Sequence, residues 1–408
     1  MGATYVILGA GHAGTAAAAA MRSAGFAGRI VLVGDDPHLP YERPALSKGA
    51  LLEGVDTVPV IYPTEFYSAQ GIELKLGSPV VALDRTARSV TLANGEVLAY
   101  DKLLIATGAS ARRYPLLDAL GDRVHVVRTL DDAKALRSEL QAGRRLLIVG
   151  GGVIGLEVAA TAVQLGLSVT VLERAPRLLA RGTPQGLADI LLDAHAAHGV
   201  SIEVSVELSE ARVEDGVVAL TARDGRRFAG DLIVYGIGVT LNDALASAAG
   251  LACDDGIVVD ALGCTSDPAI FAAGDIARQH HGFLDAEVRH ETWANALHQG
   301  AAAGRAMVTG EPTAEDVPWF WTDQFGVNYQ VAGRIEADRW IVRDGPVAGR
   351  CMHFGLTGGV LTGAVGVDAG ADMRVARKLI AARAMPDPDA LADPQQTLRK
   401  INSMPSPA

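Results

Sequence analysis

Short apolar runs that end in glycine, each followed by a longer alanine-rich stretch, set the rhythm of the first half of this chain. Residues 5–8 form such a run and predict a strand. It enters Gly9, Gly11 and Gly14, spaced G-x-G-x-x-G, and then an Ala-rich helix. A second strand over 29–33 ends at Asp35 and Asp36. The same order returns farther on. Residues 146–149 predict a strand, Gly150, Gly152 and Gly155 a turn, and 156–165 a helix. Residues 168–172 predict the next strand, which ends in Glu173.

Elsewhere polar and apolar positions alternate. Over residues 71–110 the alternation, with Asn94-Gly95 as a hairpin turn, predicts a small antiparallel sheet. Residues 204–238 hold a second meander at the corresponding place, so the repeat covers whole domains. Beyond it come a strand over 270–273 with Asp275 just past it, a long helix over 287–308, and strand signals from 317 through 365. A helix over 373–384 follows, and a tail with Pro386, Pro388, Pro394, Pro405 and Pro407 reads as mobile.

The repeated turn has a physical reading. The first glycine permits the sharp turn, the second lets backbone approach a pyrophosphate, and the third lets helix and strand pack closely. The phosphate then rests on free N–H groups at the positive end of the helix. A lone G-x-G-x-x-G is a weak signal. Here each copy has a strand before it, a helix after it and an acid 23 to 27 residues from its first glycine. A carboxylate at Glu173 would bind the 2′-hydroxyl of an adenosine ribose and repel a 2′-phosphate, so NADH is preferred over NADPH. Arg174 and Arg177 could soften that preference, or simply be solvated.

Composition narrows the picture. At 408 residues, with 49% hydrophobic residues and 46 Gly, the chain suggests two or three globular domains. The net charge of −11 argues against general affinity for nucleic acid or anionic membrane. Residues 319–408 hold 10 Lys+Arg against 9 Asp+Glu, so the excess of acid lies upstream. Cys253, Cys264 and Cys351 form no close pair, which points away from a zinc knuckle or a dithiol centre. The apolar start lacks the basic leading region of a signal peptide, and Val6 breaks the myristoylation pattern. The expectation is a soluble, cytoplasmic protein.

Three side chains admit plain structural readings. Glu157 falls in the first turn of the predicted helix, where the macrodipole alone favours an acid. Trp319 and Trp321 alternate along a strand, as packing aromatics do.

The ordered set "GAGHAG", "PYERPALSK", "LLIATGA", "VRTLDDA", "GGGVIGLEVAA", "IFAAGDIA", "HETWANALHQG" and "PWFWTDQF" is far more specific than any one member. With it the chain closely resembles the FAD-dependent, NADH-utilising ferredoxin reductases of bacterial oxygenase systems. The resemblance covers about the first 340 residues strongly and the rest loosely. It implies an α/β fold with two Rossmann-like nucleotide-binding domains of the glutathione-reductase-like kind, plus a C-terminal α+β domain. The implied boundaries are 1–108 with 240–316 for FAD, 109–239 for NAD and 317–408 for the last domain.

By motif, the resemblance implies FAD contacts from Gly9, Gly11, Ala13, Gly14, Asp35, Arg43, Lys48, Val80, Arg128, Asp275 and Trp293. Gly150, Gly152, Ile154, Gly155, Glu157 and Glu173 would hold NADH. Lys48, paired with Glu157, would face the reaction, with Trp321 beside the flavin and nicotinamide and Trp319 left as packing. Two departures stand out. Leu241 replaces a common Pro, which should alter only a turn, and Ala45 replaces a common Pro beside Lys48.

The implied chemistry is hydride transfer from NADH to FAD, then single electrons to a [2Fe–2S] ferredoxin. That ferredoxin would be a separate protein serving a Rieske dioxygenase or a haem monooxygenase. Arg289, Arg305 and Arg334 are candidates for its docking face, and the chain would be a monomer or weak homodimer. Other readings stay open: an NADH oxidase or rubredoxin-type reductase, or a flavin-binding regulatory protein of the apoptosis-inducing-factor type. The oxidase usually needs a reactive cysteine near the flavin. The regulatory protein would carry targeting and basic segments.

Overall fold

The strand Thr4–Leu8 is almost wholly buried because it is the middle strand of a five-stranded parallel sheet with both faces covered. The computed structural model describes residues 2–401 apart from 181 and 348, and the backbone of 403–405. The chain gathers into two units. One takes the chain up to Glu42 with Pro59–Ser110 and Val239–Pro318. The other takes Arg43–Val58, Ala111–Gly238 and the chain from Trp319 on.

In the first unit the sheet order is Ile270–Ala272, Lys102–Ile105, Thr4–Leu8, Arg29–Val33 and Ile72–Lys75, all parallel. Side chains alternate across it. Val6, Leu8, Val31 and Val33 enter one core with Val90, Leu92 and Leu98 from the predicted meander. Tyr5, Ile7, Ile30 and Leu32 enter a second core, beneath the helices His12–Ser23 and Trp293–Thr309. A Cβ on Gly300 or Gly304 would overlap the backbone of Ala13 or Ala17, so two glycines let these helices touch.

The second unit repeats the plan. Its parallel sheet runs Ser201–Glu203, Ser168–Leu172, Arg145–Val149, Leu232–Tyr235 and Val124–His125. The antiparallel meander from Leu208 to Gly230 closes one face, where Val218 and Leu220 meet Leu147 and Val149. On another core, Leu156, Leu187 and Leu191 meet Tyr329, Val331, Val365 and Val367 of a five-stranded antiparallel sheet, all members of this unit. The expected pair of Rossmann-like folds with a C-terminal α+β region is present.

Several details differ from expectation, among them the two ends of the 71–110 stretch, Ile72–Lys75 and Lys102–Ile105, which join the parallel sheet and leave Val80–Ala99 as the antiparallel part. The helix expected over 287–308 begins at Trp293, because the Thr292 hydroxyl accepts from the Asn295 amide and caps it; Ala286–Val288 is a strand. Leu241 ends a strand, Val239–Leu241, and packs on the first core instead of marking a simple turn. The proline-rich tail is built into the fold as far as Ile401. Leu391, Leu398 and Ile401 are buried, and the Arg343 guanidinium donates to the carbonyls of Leu391 and Gln396. Pro407 lies outside the described residues.

Candidate active site

In each parallel sheet the chain runs from the central strand to one edge and returns on the other side, so the crevice opens beyond the carboxyl end of that strand. Gly9 and Gly150 stand there. Their φ values, +106° and +112°, are left-handed, and a Cβ would run into the carbonyls of Ala106 and Gly236 respectively. A Cβ on Gly14 or Gly155 would overlap the carbonyl of Gly9 or Gly150, so each helix starts tight beneath its turn. Gly11 and Gly152 are different: a Cβ there would meet nothing within 4 Å. Their glycine character answers no demand of the protein's own packing, and it fits room kept for a pyrophosphate. Neither following helix has a side-chain cap or an acid in its first turn, which leaves leading N–H groups for phosphate oxygens.

Around the first turn, Asp35 is exposed and accepts from the Asp36 amide at 3.0 Å. Asp36 is engaged by the Tyr41 hydroxyl at 2.9 Å and the His38 amide at 3.0 Å, so Asp35 is the outward acid of the two. Trp293 opens its helix with Nε1 donating to Glu42 Oε2 at 2.7 Å, and His12 Nε2 meets the same oxygen at 2.9 Å. Burial pushes the Glu42 carboxyl up, but the bonds from His12 and Trp293 outweigh it and hold it below the usual range. Ala13 packs under Gly300, Val80 packs on the first core, and Asp275 follows the strand Ile270–Ala272. Arg289 is a brace and not a free surface cation: its side chain is 13% exposed and donates to the carbonyls of Asp255 and Asp275 and to Glu291.

Around the second turn, Glu173 reaches back into the loop. Its Oε2 accepts from the Gly151 amide and its Oε1 from the Ala175 amide, both at 2.6 Å. A Cβ on Gly151 would meet Leu178 at 2.6 Å and Glu173 at 3.2 Å, so the middle glycine of "GGG" makes that reach possible. A carboxylate has about four lone-pair sites, so acceptor capacity remains for ribose hydroxyls. Arg177 is neither solvated nor directed to a phosphate, since its guanidinium donates to the carbonyls of Leu178, Ala180 and Thr183. Arg174 is exposed, and Ile154 presents an apolar side chain that is 42% exposed beside the turn.

Glu157 is tightly held within this unit. The helix begins at Val153, so Glu157 lies past the first turn and the macrodipole does not account for it. It is 3% exposed. Lys48 Nζ stands 2.8 Å from its Oε1 and also donates to the Pro44 carbonyl at 3.0 Å. Thr322 Oγ1 donates to Oε1 at 2.6 Å, and Ser47 Oγ donates to Oε2. Thr161, one turn on from Glu157, donates to the Ser47 carbonyl at 2.9 Å and so fixes the loop that carries Lys48. Removing Lys48 would leave the Glu157 carboxyl buried without its partner charge, a loss that reaches about 3–5 kcal/mol where both partners are fully buried.

The sequence motifs gave Lys48 and Glu157 but missed Ser47, Thr161, Thr322 and Gly151. Thr161 had a signal in its i+4 spacing from Glu157, and Ser47 in its adjacency to Lys48. Thr322 had none, because contact across the unit is not a local pattern. Trp321 precedes it in the strand Trp319–Gln324 and therefore faces the other way. Its ring stacks on Trp319 with centroids 5.6 Å apart, and its Nε1 donates to Asp323 at 3.1 Å. Trp319 lies in turn under the Arg377 guanidinium, 4.4 Å from the ring centroid. Arg43 and Arg128 belong to this second unit, where the Arg128 amide donates to Asp132 at 3.1 Å.

The thiols offer no redox pair. Cys253, Cys264 and Cys351 are free and partly buried, and burial pushes each thiol above its ordinary range. Among the described residues no group of His, Cys, Asp and Glu is arranged to hold a metal ion, and no helix is long and apolar enough to cross a membrane.

Comparison with known proteins gives the family. The pyridine nucleotide-disulphide oxidoreductase family matches residues 3–300, and the reductase C-terminal family matches residues 319–402. The chain is 43% identical to a 3-phenylpropionate/cinnamic acid dioxygenase ferredoxin–NAD(+) reductase component from Photorhabdus laumondii subsp. laumondii, over 93% of this chain and 96% of that one. It is 42% identical to an anthranilate 1,2-dioxygenase system ferredoxin–NAD(+) reductase component from Burkholderia cepacia, over 97% and 98%. The crystal structure of a covalent putidaredoxin reductase–putidaredoxin complex matches with a TM-score of 0.92 at 35% identity, over 98% of this chain and 97% of that one.

Proposed function

We propose, for a chain that belongs to the pyridine nucleotide-disulphide oxidoreductase family in its ferredoxin–NAD(+) reductase branch, that it passes electrons from NADH through FAD to a [2Fe–2S] ferredoxin. The ferredoxin would serve a Rieske dioxygenase or a haem monooxygenase. The observation that carries this reading is the doubled turn: two central-strand glycine loops, each with open room at its middle glycine, in two separate units.

Bound FAD would supply the conversion from a two-electron donor to a one-electron acceptor. Gly9, Gly11, Ala13 and Gly14 would cradle its pyrophosphate, with Asp35 on the ribose, Asp275 on the ribityl chain and Trp293 bordering the ring system. Arg43 and Arg128 would offset phosphate charge, and Val80 would line the site. Gly150, Gly152 and Gly155 would take the NADH pyrophosphate, with Ile154 offering an apolar contact. Glu173 would hold the ribose diol.

Lys48 presents a positive charge whose position is fixed by Glu157 and the Pro44 carbonyl. A charge fixed before the reaction stabilises developing negative charge with no reorganisation. Trp321, held by Trp319 on one face and Asp323 at its edge, would provide a flat aromatic wall that excludes water. The thiols give no support to cysteine-dependent oxidase chemistry, since all three are pushed toward the neutral form by burial.

An anaerobic titration tests the reading. The purified protein is expected to be yellow, to bleach rapidly with NADH and far less efficiently with NADPH, and to reduce cytochrome c quickly only when a [2Fe–2S] ferredoxin is added. A colourless preparation that cannot take up FAD would overturn it. Fast turnover with oxygen alone would move the assignment to an oxidase.

A further inference from the structure

A string of buried polar side chains runs away from Glu157 through the interior of the second unit. Thr322 Oγ1 donates to Glu157 Oε1 at 2.6 Å, Gln324 Nε2 donates to Thr322 Oγ1 at 3.0 Å, and His195 Nε2 meets Gln324 Oε1 at 2.6 Å. Thr322 and Gln324 share one face of the strand Trp319–Gln324, and His195 comes from the helix Gln185–Ala197. Exposures are 1% for Thr322, 2% for Gln324 and 0% for His195. A contact between a helix and a sheet is normally apolar, and a buried polar group costs free energy unless it is bonded. Three consecutive polar choices, each bonded to the next, therefore call for an explanation.

The direction of the string is fixed by chemistry. Lys48 has only donors, so Glu157 Oε1 acts as acceptor. The single hydroxyl hydrogen of Thr322 is spent on that oxygen, so Thr322 accepts from the amide nitrogen of Gln324. That leaves the Gln324 carbonyl as acceptor, and His195 Nε2 must carry the hydrogen. His195 Nδ1 is then the bare nitrogen, and it is buried with no hydrogen-bond partner among the described residues. Burial favours the neutral ring and holds His195 below its usual range, so only one of its two nitrogens carries a hydrogen. Phe325 closes the end of the string, its ring edge-on to His195 with centroids 4.9 Å apart.

We propose that His195, Gln324 and Thr322 are positioning residues, forming a one-way relay of hydrogen-bond donors that fixes the Glu157 carboxylate against Lys48 in the geometry hydride transfer requires. The relay rests on the reading of Lys48 and Glu157 as the pair that faces the reaction. All three donors point the same way, so each bond polarises the next and their effect accumulates at one oxygen.

The test uses the FAD-loaded full chain. Flavin reduction by NADH is followed by stopped flow, which separates the limiting rate from the apparent Kd for NADH. Thr322→Val and Gln324→Met are expected to lower the limiting rate about tenfold, as for loss of a hydrogen bond to a charged group, and Thr322→Ser is expected to restore it. The Kd is expected to stay within about twofold, since the relay acts on the reacting geometry and not on nucleotide affinity. In the unaltered protein, nitrogen-15 histidine spectra should show His195 protonated at Nε2 and bare at Nδ1.

Glu157→Gln separates the two ideas. If it is slow while Thr322→Val and Gln324→Met run at full rate, the relay falls and the reaction pair stands. If Glu157→Gln is as fast as the unaltered protein, the pair falls and takes the relay with it. Should the relay variants not fold, a hydrogen on His195 Nδ1 in the unaltered protein still overturns the proposal.

Discussion

Glu173 shows how much one side chain can carry. It accepts hydrogen bonds from two backbone amides that hold the glycine loop in shape, and lone pairs remain for the ribose diol proposed for it. Glu173→Ala is expected to raise the KM for NADH about tenfold or more, from the loss of charged hydrogen bonds and of the loop brace together. An unchanged KM would remove the residue from the nucleotide site. His290 makes a different case. Burial, helped by nearby His281, drives its pKa from 6.5 down to about 4. The folded chain therefore refuses a proton that the unfolded chain accepts, so stability present above pH 6.5 is lost as pH falls toward about 4. His290→Gln should narrow the gap in Tm between neutral and mildly acidic buffer, and an unchanged gap would show that the ring is open to water.

At the scale of elements, the strongest constraints are glycines that the sequence pattern displays without explaining. Gly300 and Gly304, four apart on one helix, stand outside both glycine turns. They let Trp293–Thr309 lie directly on His12–Ser23, the helix that starts at the first glycine turn. Gly304→Ala places a Cβ onto the Ala17 backbone and is expected to destabilise the protein by about 1–3 kcal/mol, read as a lower Tm. A neutral result would mean that the helices can part without cost. The central strands of the two parallel sheets were legible because both of their faces are buried, which makes Thr4–Leu8 and Arg145–Val149 nearly continuous apolar runs. The tail was misjudged for a related reason. Prolines mark where helices and strands stop, yet they say nothing about tertiary anchors such as Arg343, which grips Leu391 and Gln396.

For the whole molecule, the chemistry depends on which cysteines are absent from the redox path as much as on which residues are present. The chain belongs to a family named for disulphide chemistry, yet its three thiols are free and shifted toward the neutral form by burial. A variant with Cys253→Ala, Cys264→Ala and Cys351→Ala is expected to keep NADH-to-ferredoxin turnover within about twofold of the unaltered protein. A large loss in a folded, flavin-loaded variant would return thiol chemistry to the mechanism.

The sequence by itself determined the two glycine turns, their strands, and the acids that follow them. These are local: a left-handed turn, a close helix start and a strand end are each set by a few consecutive residues. It also supplied Lys48 and Glu157 as motif positions. Only the tertiary structure decided what surrounds them. Glu157 is met by Ser47, Thr161 acts through the Ser47 carbonyl, and Thr322 arrives 165 positions farther along the chain. It also decided that Trp321 and Thr322 face opposite ways, and that His195 stands at the end of a donor string. A hydrogen bond depends on distance in space, and buried donors find their acceptors only once the sheets have brought distant segments together.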